Sequence, residues 1–124
     1  MGPRLAGLMI TDLMQAVRYL GDRSETDTHR ISAMGYSLGS FVVGMTVAID
    51  DRIHCCVLAG GGNFDGPGEY WDRSKPMCQG AAIPLIYNGL EDTVVNIPNH
   101  GRPFFEHLRE RTIELKGSEA SVFD

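Results

Sequence analysis

A serine between two glycines lies where an apolar stretch meets a run with helical spacing. Residues 35–39 read Gly-Tyr-Ser-Leu-Gly; the apolar stretch 30–36 leads into them and the helical run 41–49 follows. In the order strand, sharp turn, helix, a Gly-x-Ser-x-Gly pattern exposes its serine at the top of a sheet. Glycines suit such a turn because the backbone is tight and neighbouring elements pass close to it. The pattern predicts a nucleophile elbow at Ser37, with an ordinary Gly/Ser turn as the alternative.

Helical and strand-like stretches alternate along the 124 residues. Helical spacing predicts helices at residues 5–20, 41–49 and 98–111, and short apolar runs predict strands at 30–36, 53–59 and 83–90. Residues 112–115 are compatible with a fourth strand, and residues 63–82 form a long, irregular connection. The alternation indicates one α/β domain, with a mostly parallel sheet and helices on both faces in three layers.

Charge and hydropathy exclude several classes of partner. The net charge is −5 and the 11 Lys and Arg residues are scattered, which argues against nucleic acid. No run of about 18 apolar residues exists to span a membrane, and the first residues lack a secretory leader, so we expect a cytoplasmic protein. Cys55 and Cys56 are adjacent and Cys78 lies in a loop, which suggests neither a disulfide framework nor a metal site.

The helix after Ser37 would begin at the elbow, so its amino terminus points at the serine. The partial positive charge there, with the N–H of Leu38, suits a developing oxyanion. Tyr36 beside the serine and Trp71 in the long connection are candidate substrate-binding residues. Trp71 and its neighbour Tyr70 could equally pin that connection to the core.

Four segments together resemble a known family. They are Arg18-Tyr19-Leu20, Asp27-x-x-Arg30-Ile31, the elbow itself and Asp50-Asp51-Arg52-Ile53. They resemble the dienelactone hydrolase and acetyl xylan esterase-like branch of the α/β-hydrolase superfamily, and the likeness covers most of the chain. The resemblance implies that Ser37 is the nucleophile. It also implies that Asp92, in Gly89-Leu90-Glu91-Asp92, matches the family's Gly-x-x-Asp acid.

The chain departs from this family in two places. The family histidine follows the last strand as Gly-His, whereas residues 116–124 contain no histidine. The family's first strands and its second oxyanion N–H precede the helix with which this sequence opens. The sequence therefore resembles the C-terminal half of the family, a truncated α/β-hydrolase fold.

A serine nucleophile needs a base, and four histidines are available. His29 and His54 fall at the wrong end of a parallel sheet, and His107 lies deep in a helix. His100 starts near the top of the sheet and would complete a rearranged triad with Ser37 and Asp92. The alternative is a solvent-exposed histidine near a helix start. Asp65 is a second possible acid.

These patterns favour a serine hydrolase acting on small carboxylic esters, without a metal or organic cofactor. One alternative is a catalytically impaired remnant that serves to associate with other chains. Another is a flavodoxin-like module that binds phosphate at residues 35–39, but no Lys or Arg lies near that turn. With the family's first strands absent, the strand before Ser37 would form a sheet edge, so we expect a homodimer or larger homo-oligomer.

Overall fold

The computed structural model describes residues 4–61 and 74–117. Within these ranges the chain forms alternating helices and strands. In chain order they are α1 (Leu5–Gly21), β1 (Ser32–Tyr36), α2 (Leu38–Val47), β2 (Cys55–Ala59), α3 (Ser74–Met77), β3 (Ile83–Tyr87), one π-helical turn (Ile97–Gly101) and α4 (Arg102–Lys116). The predicted α/β fold class is confirmed.

The three strands form a parallel sheet in the order β1-β2-β3. Their register aligns Tyr36, Ala59 and Tyr87 at the carboxyl ends of the strands. In the part of the chain described, β1 is an edge strand, as expected. Because residues that follow parallel strands meet at one edge of a sheet, Ser37 after β1 and the segment after β3 lie at the same end.

The hydrophobic core lies on one face of the sheet. Cys56 and Leu58 of β2 point into it and pack with side chains from the helices, namely Val17, Val43, Val47, Met77, Phe104 and Leu108. We expected helices on both faces, but the described helices all contribute to this one core. Successive right-handed crossovers that always step in the same direction along a sheet place their helices on the same side. No helix of the described part of the chain covers the opposite face, where most of the large side chains are exposed.

Residues 112–115 are not a fourth strand, and this part of the sequence interpretation was wrong. They belong to α4, where Thr112 is buried and its Oγ1 donates to the Leu108 carbonyl at 2.7 Å. Phe104, Leu108 and Thr112 recur at helical spacing and share the buried side of the helix. Pro103 lies in the first turn of α4, where its missing N–H leaves no helical hydrogen bond unmade.

The long connection is partly ordered as α3, whose Met77 reaches the core. Asp65, Tyr70 and Trp71 lie outside the described residues. None of the helices in the described ranges is long and apolar enough to cross a bilayer.

The ion pair between Asp50 and Arg52 links the segment that follows α2 to α1. The Asp50 carboxylate, almost fully buried, accepts hydrogen bonds from Arg52 Nε at 2.8 Å and Arg52 Nη2 at 2.5 Å. Arg52 Nη2 also donates to the Met14 carbonyl of α1 at 3.3 Å. The side-chain hydrogen bond from Arg52 lowers the pKa of Asp50 below its ordinary value. Asp50 therefore stabilises the fold in its ionised form.

We predict that Asp50→Asn destabilises the protein at pH 7, by about 1–3 kcal/mol for a buried charge-assisted hydrogen bond. Because the folded-state pKa is depressed, the contribution is complete above the unfolded value and disappears as pH falls through the folded one. Urea unfolding of wild type and variant should therefore converge as pH falls below about 4. Asp51→Asn, at an exposed neighbouring position, is the control. Equal stability of wild type and Asp50→Asn at pH 7 would contradict this role.

Candidate active site

Ser37 has a strained backbone between β1 and α2. Its φ is 52° and its ψ is −113°, whereas the other described residues with positive φ, Gly60 and Gly117, are glycines. A non-glycine residue in such a region costs about 1–3 kcal/mol and persists only where its surroundings hold it. The Ser37 N–H donates to the Ala59 carbonyl at 2.9 Å, and the Ser37 carbonyl accepts from Ser40 Oγ at 2.7 Å. Hydrogen bonds to the Ser37 N–H and to its carbonyl thus fix the turn from both sides.

Close packing requires glycine at the first of the two glycine positions in the turn. A Cβ at Gly35 would lie 2.1 Å from the Gly39 carbonyl oxygen, and a Cβ at Gly61 would lie 2.8 Å from Ser40 Oγ. Gly39 itself has no such neighbour within 4 Å. The first glycine of the pattern is therefore required sterically, and the second is not. The predicted order of strand, tight turn and helix is confirmed.

The Ser37 side chain is exposed at the carboxyl end of the sheet. Among residues 4–61 and 74–117, its hydroxyl has no hydrogen-bond partner. Leu38 is the first residue of α2, and an N–H in the first turn of a helix has no acceptor within the helix. The Leu38 N–H is therefore available beside the hydroxyl, at the positive end of the helix dipole.

Asp92 lies in the turn after β3, held by backbone groups. Its Oδ1 accepts from the N–H groups of Val94 and Val95, each at 2.9 Å. These bonds, with the one from Val95 the larger cause, lower the pKa of Asp92, so the carboxylate is ionised at neutral pH. The residue lines an open depression of about 690 Å³ together with Tyr36, Leu90 and Glu91. The structure thus brings the acid loop next to the end of the serine strand.

His100 is buried in the π-helical turn, with 7% of its surface exposed. The alternative of a solvent-exposed histidine is therefore wrong. Its Nδ1 accepts from the Asn96 N–H at 3.1 Å. The ring lies near enough to Asp92 that a positive charge on it would lower the pKa of that carboxyl, as the smallest of the causes. In a catalytic triad Nδ1 instead donates to the acid. The structure places His100 near Asp92 without orienting it as a triad base.

His54 and His107 lie where the sequence suggested. His54 is at the amino end of the sheet, where its N–H donates to the Ile31 carbonyl and its own carbonyl accepts from Ile83. His107 is on an exposed part of α4. In the portion of the chain described, no group of three or more His, Cys, Asp or Glu side chains could hold a metal ion.

Ser40 is a residue of the site that sequence reasoning missed. It is buried, and its hydroxyl and N–H both bond the Ser37 carbonyl. The available signal was a serine in the first turn of a helix, three residues after the elbow serine, where a hydroxyl can reach back to the backbone. Ser40 positions the turn.

A parallel strand, a strained exposed serine, a helix that begins at once and an acid after a later strand define an α/β-hydrolase arrangement. The profile of the prolyl oligopeptidase family matches residues 4–84. The chain therefore belongs to the prolyl oligopeptidase family, and the resemblance to α/β-hydrolases is confirmed.

Two relatives support the same class. The predicted hydrolase YtaP of Bacillus subtilis is 39% identical over 56 residues, which are 45% of this chain and 19% of YtaP. The crystal structure of a predicted dienelactone hydrolase from Klebsiella pneumoniae has a TM-score of 0.62 at 17% identity. That match covers 85% of this chain and 42% of the other, and at this identity it shows the fold. The chain thus spans less than half the length of the relatives it matches.

We predict that Ser37→Gly is more stable than Ser37→Ala by about 1–3 kcal/mol, because only glycine adopts positive φ without strain. Both variants lack the hydroxyl, so the comparison isolates the backbone. Urea unfolding measures it.

The control is Gly39, which lies within helix α2 with open space around it. At this position alanine should be more stable than glycine, so we expect Gly39→Ala to be more stable than wild type by up to about 1 kcal/mol. A Ser37→Gly variant no more stable than Ser37→Ala would contradict the strained elbow.

Proposed function

We propose that this chain hydrolyses small carboxylic esters with Ser37 as nucleophile. The observation that carries the proposal is the strained, exposed Ser37 at the start of α2, in a chain that belongs to a hydrolase family. Ser37 Oγ attacks the ester carbonyl, the alcohol leaves, and water then releases the acid from the acyl-enzyme. The Leu38 N–H donates to the oxyanion that forms at each step.

An ester suits this site better than a peptide. Peptides are the substrates in the family's name, and a lactone, which is a cyclic ester, is in the name of the structural relative. An amide leaving group must be protonated as it departs and so depends strongly on a well-placed acid. His100 is engaged with Asn96, whereas an activated ester releases its alcohol with less help. Small esters are therefore the substrate class proposed.

In this proposal Asp92 and His100 supply the base. Asp92 is ionised and next to the depression, and His100 is close enough to influence it. For His100 to accept the Ser37 proton, its ring must turn away from the Asn96 N–H so that Nδ1 faces a carboxylate. This reorientation would make the enzyme slow. The acyl group would lie in the depression beside Tyr36, and Trp71 remains a candidate from the sequence.

A second candidate function is a hydrolase-fold remnant that associates with another chain. Asp92 Oδ1 and His100 Nδ1 both find backbone N–H partners, so each is satisfied without the other. A site without a working base would leave Ser37 inactive. Measured turnover distinguishes the two functions.

A cytoplasmic location is part of the proposal. The three cysteines lie within the described ranges, and none of them forms a disulfide. Thiols persist in compartments kept reducing by glutathione and thioredoxin, whereas secreted domains of this size commonly use cysteine pairs as cross-links. The cysteine chemistry therefore supports this location.

We predict that p-nitrophenyl acetate hydrolysis falls to the uncatalysed rate in Ser37→Ala. His100→Ala should lose about a hundredfold or more, the usual contribution of a general base. His107→Ala, an exposed histidine of α4, is the matched control and should retain activity.

The outcomes separate the parts of the proposal. Turnover that survives Ser37→Ala would contradict the nucleophile. Turnover that requires Ser37 but survives His100→Ala would overturn only the choice of base. Absence of turnover in wild type would favour the associating remnant.

A further inference from the structure

Within residues 4–61 and 74–117, no helix covers the face of the sheet opposite the core, and most side chains on this face are apolar. Side chains alternate along each strand, and the register brings three rows together on this side: Ser32, Cys55 and Ile83; Met34, Val57 and Leu85; Tyr36, Ala59 and Tyr87. We call these nine residues the open face. Its five largest side chains, Met34, Tyr36, Ile83, Leu85 and Tyr87, are between 54% and 73% exposed. None of the nine is an Asp, Glu, Lys, Arg or His residue.

The exposed apolar area lies at the upper end of the range for a monomer. At roughly 200 Å² for a large side chain, these five residues leave on the order of 600 Å² of apolar surface in water. The largest apolar patch on a typical monomer is about 300–600 Å². A stable interface buries about 800 Å² on each partner. The open face therefore approaches what one side of a dimer interface requires.

We propose that the open face binds the open face of a second copy of this chain. Two sheets pack face to face about 10 Å apart with their strands nearly aligned, and a twofold axis would bring identical rows together. Because the face carries no charge, the two copies bury no unpaired ion in spite of the net charge of −5 on each. This interface stands independently of the proposed esterase activity.

Charge disfavours a membrane as the occupant. Peripheral membrane attachment through an apolar surface is normally helped by Lys and Arg that face anionic lipids. The open face has no basic residue, and the chain as a whole is acidic. A flat, uncharged surface on an acidic protein fits another protein surface of the same kind.

The interface would also reach the candidate active site. Tyr36 belongs to the open face and lines the depression that contains Asp92. A second subunit on this face would form a wall beside that depression and reduce its contact with water.

Sedimentation equilibrium tests the proposal over a range of protein concentration from about 1 to 100 µM, which detects a dimer whose Kd is about 1 µM. We expect wild type to approach twice its chain mass of 13.6 kDa. Leu85→Lys, which places a charge in the middle row of the open face on β3, should shift it to the mass of one chain. Leu115→Lys is the matched control, because Leu115 is 61% exposed on α4 and Leu85 is 63% exposed. Far-UV circular dichroism and cooperative unfolding confirm that each variant is folded.

The reactivity of the Cys55 thiol is a second readout, because it measures directly whether the open face is covered. It is the exposed thiol of the three, whereas Cys56 and Cys78 are buried and burial raises the pKa of Cys56 to about 11. Maleimide should label Cys55 slowly in concentrated wild type and fast after dilution or in Leu85→Lys. A monomer at every concentration would overturn the proposal. So would a dimer that Leu85→Lys leaves intact, or an assembly in which Cys55 stays reactive.

Discussion

The hydrogen bond from the Ser37 N–H to the Ala59 carbonyl holds the feature on which the site depends. It joins the residue after β1 to the last residue of β2, so it forms only when the two strands are in register. On the other side of the same residue, the Ser40 hydroxyl donates to the Ser37 carbonyl. Together these contacts hold Ser37 at positive φ, a conformation that it would leave if unrestrained.

The energy that maintains this strain comes from the core beneath it. Val43 and Val47 of α2 pack against Cys56 and Leu58 of β2, so α2 cannot shift without exposing buried apolar side chains. Full burial of one such side chain contributes about 1.5–3 kcal/mol, which is comparable with the cost of the strained turn. The core thus allows the serine to stay exposed and rigid at the same time.

Asp92 and His100 are held in place by different kinds of contact from those that hold Ser37. Each is satisfied by nearby backbone groups, Asp92 by Val94 and Val95 and His100 by Asn96. Short local contacts of this kind form independently of the serine turn. The position of Ser37, the proposed nucleophile, is therefore set by long-range packing, whereas the proposed base requires a change in local hydrogen bonding. If Ser37 and His100 act together as proposed, reorientation of the His100 ring sets the limit on the rate.

The sequence predicted the features that rest on local patterns. Alternating apolar runs indicated the parallel strands, and Gly-x-Ser-x-Gly indicated the turn whose first glycine cannot carry a Cβ. The prediction of a strand at residues 112–115 was wrong. β-branched Thr112 and Ile113 favour strands, but tertiary packing extends α4 through them. The orientation of His100 depends on a contact with the Asn96 backbone that no spacing reveals. The apolar character of strand residues such as Met34 and Leu85 also predicts that helices cover them, but both side chains are exposed. Hydropathy does not indicate which element covers an apolar residue.

The most direct test of the central claim is reaction of the folded protein with a fluorophosphonate, followed by peptide mass mapping. Such reagents modify a serine only when its surroundings make it nucleophilic. We expect a single adduct, on Ser37, that disappears when the protein is unfolded in urea before reaction. A folded protein that gives no adduct on Ser37, or that modifies the exposed Ser24 equally fast, would contradict a serine activated by its fold.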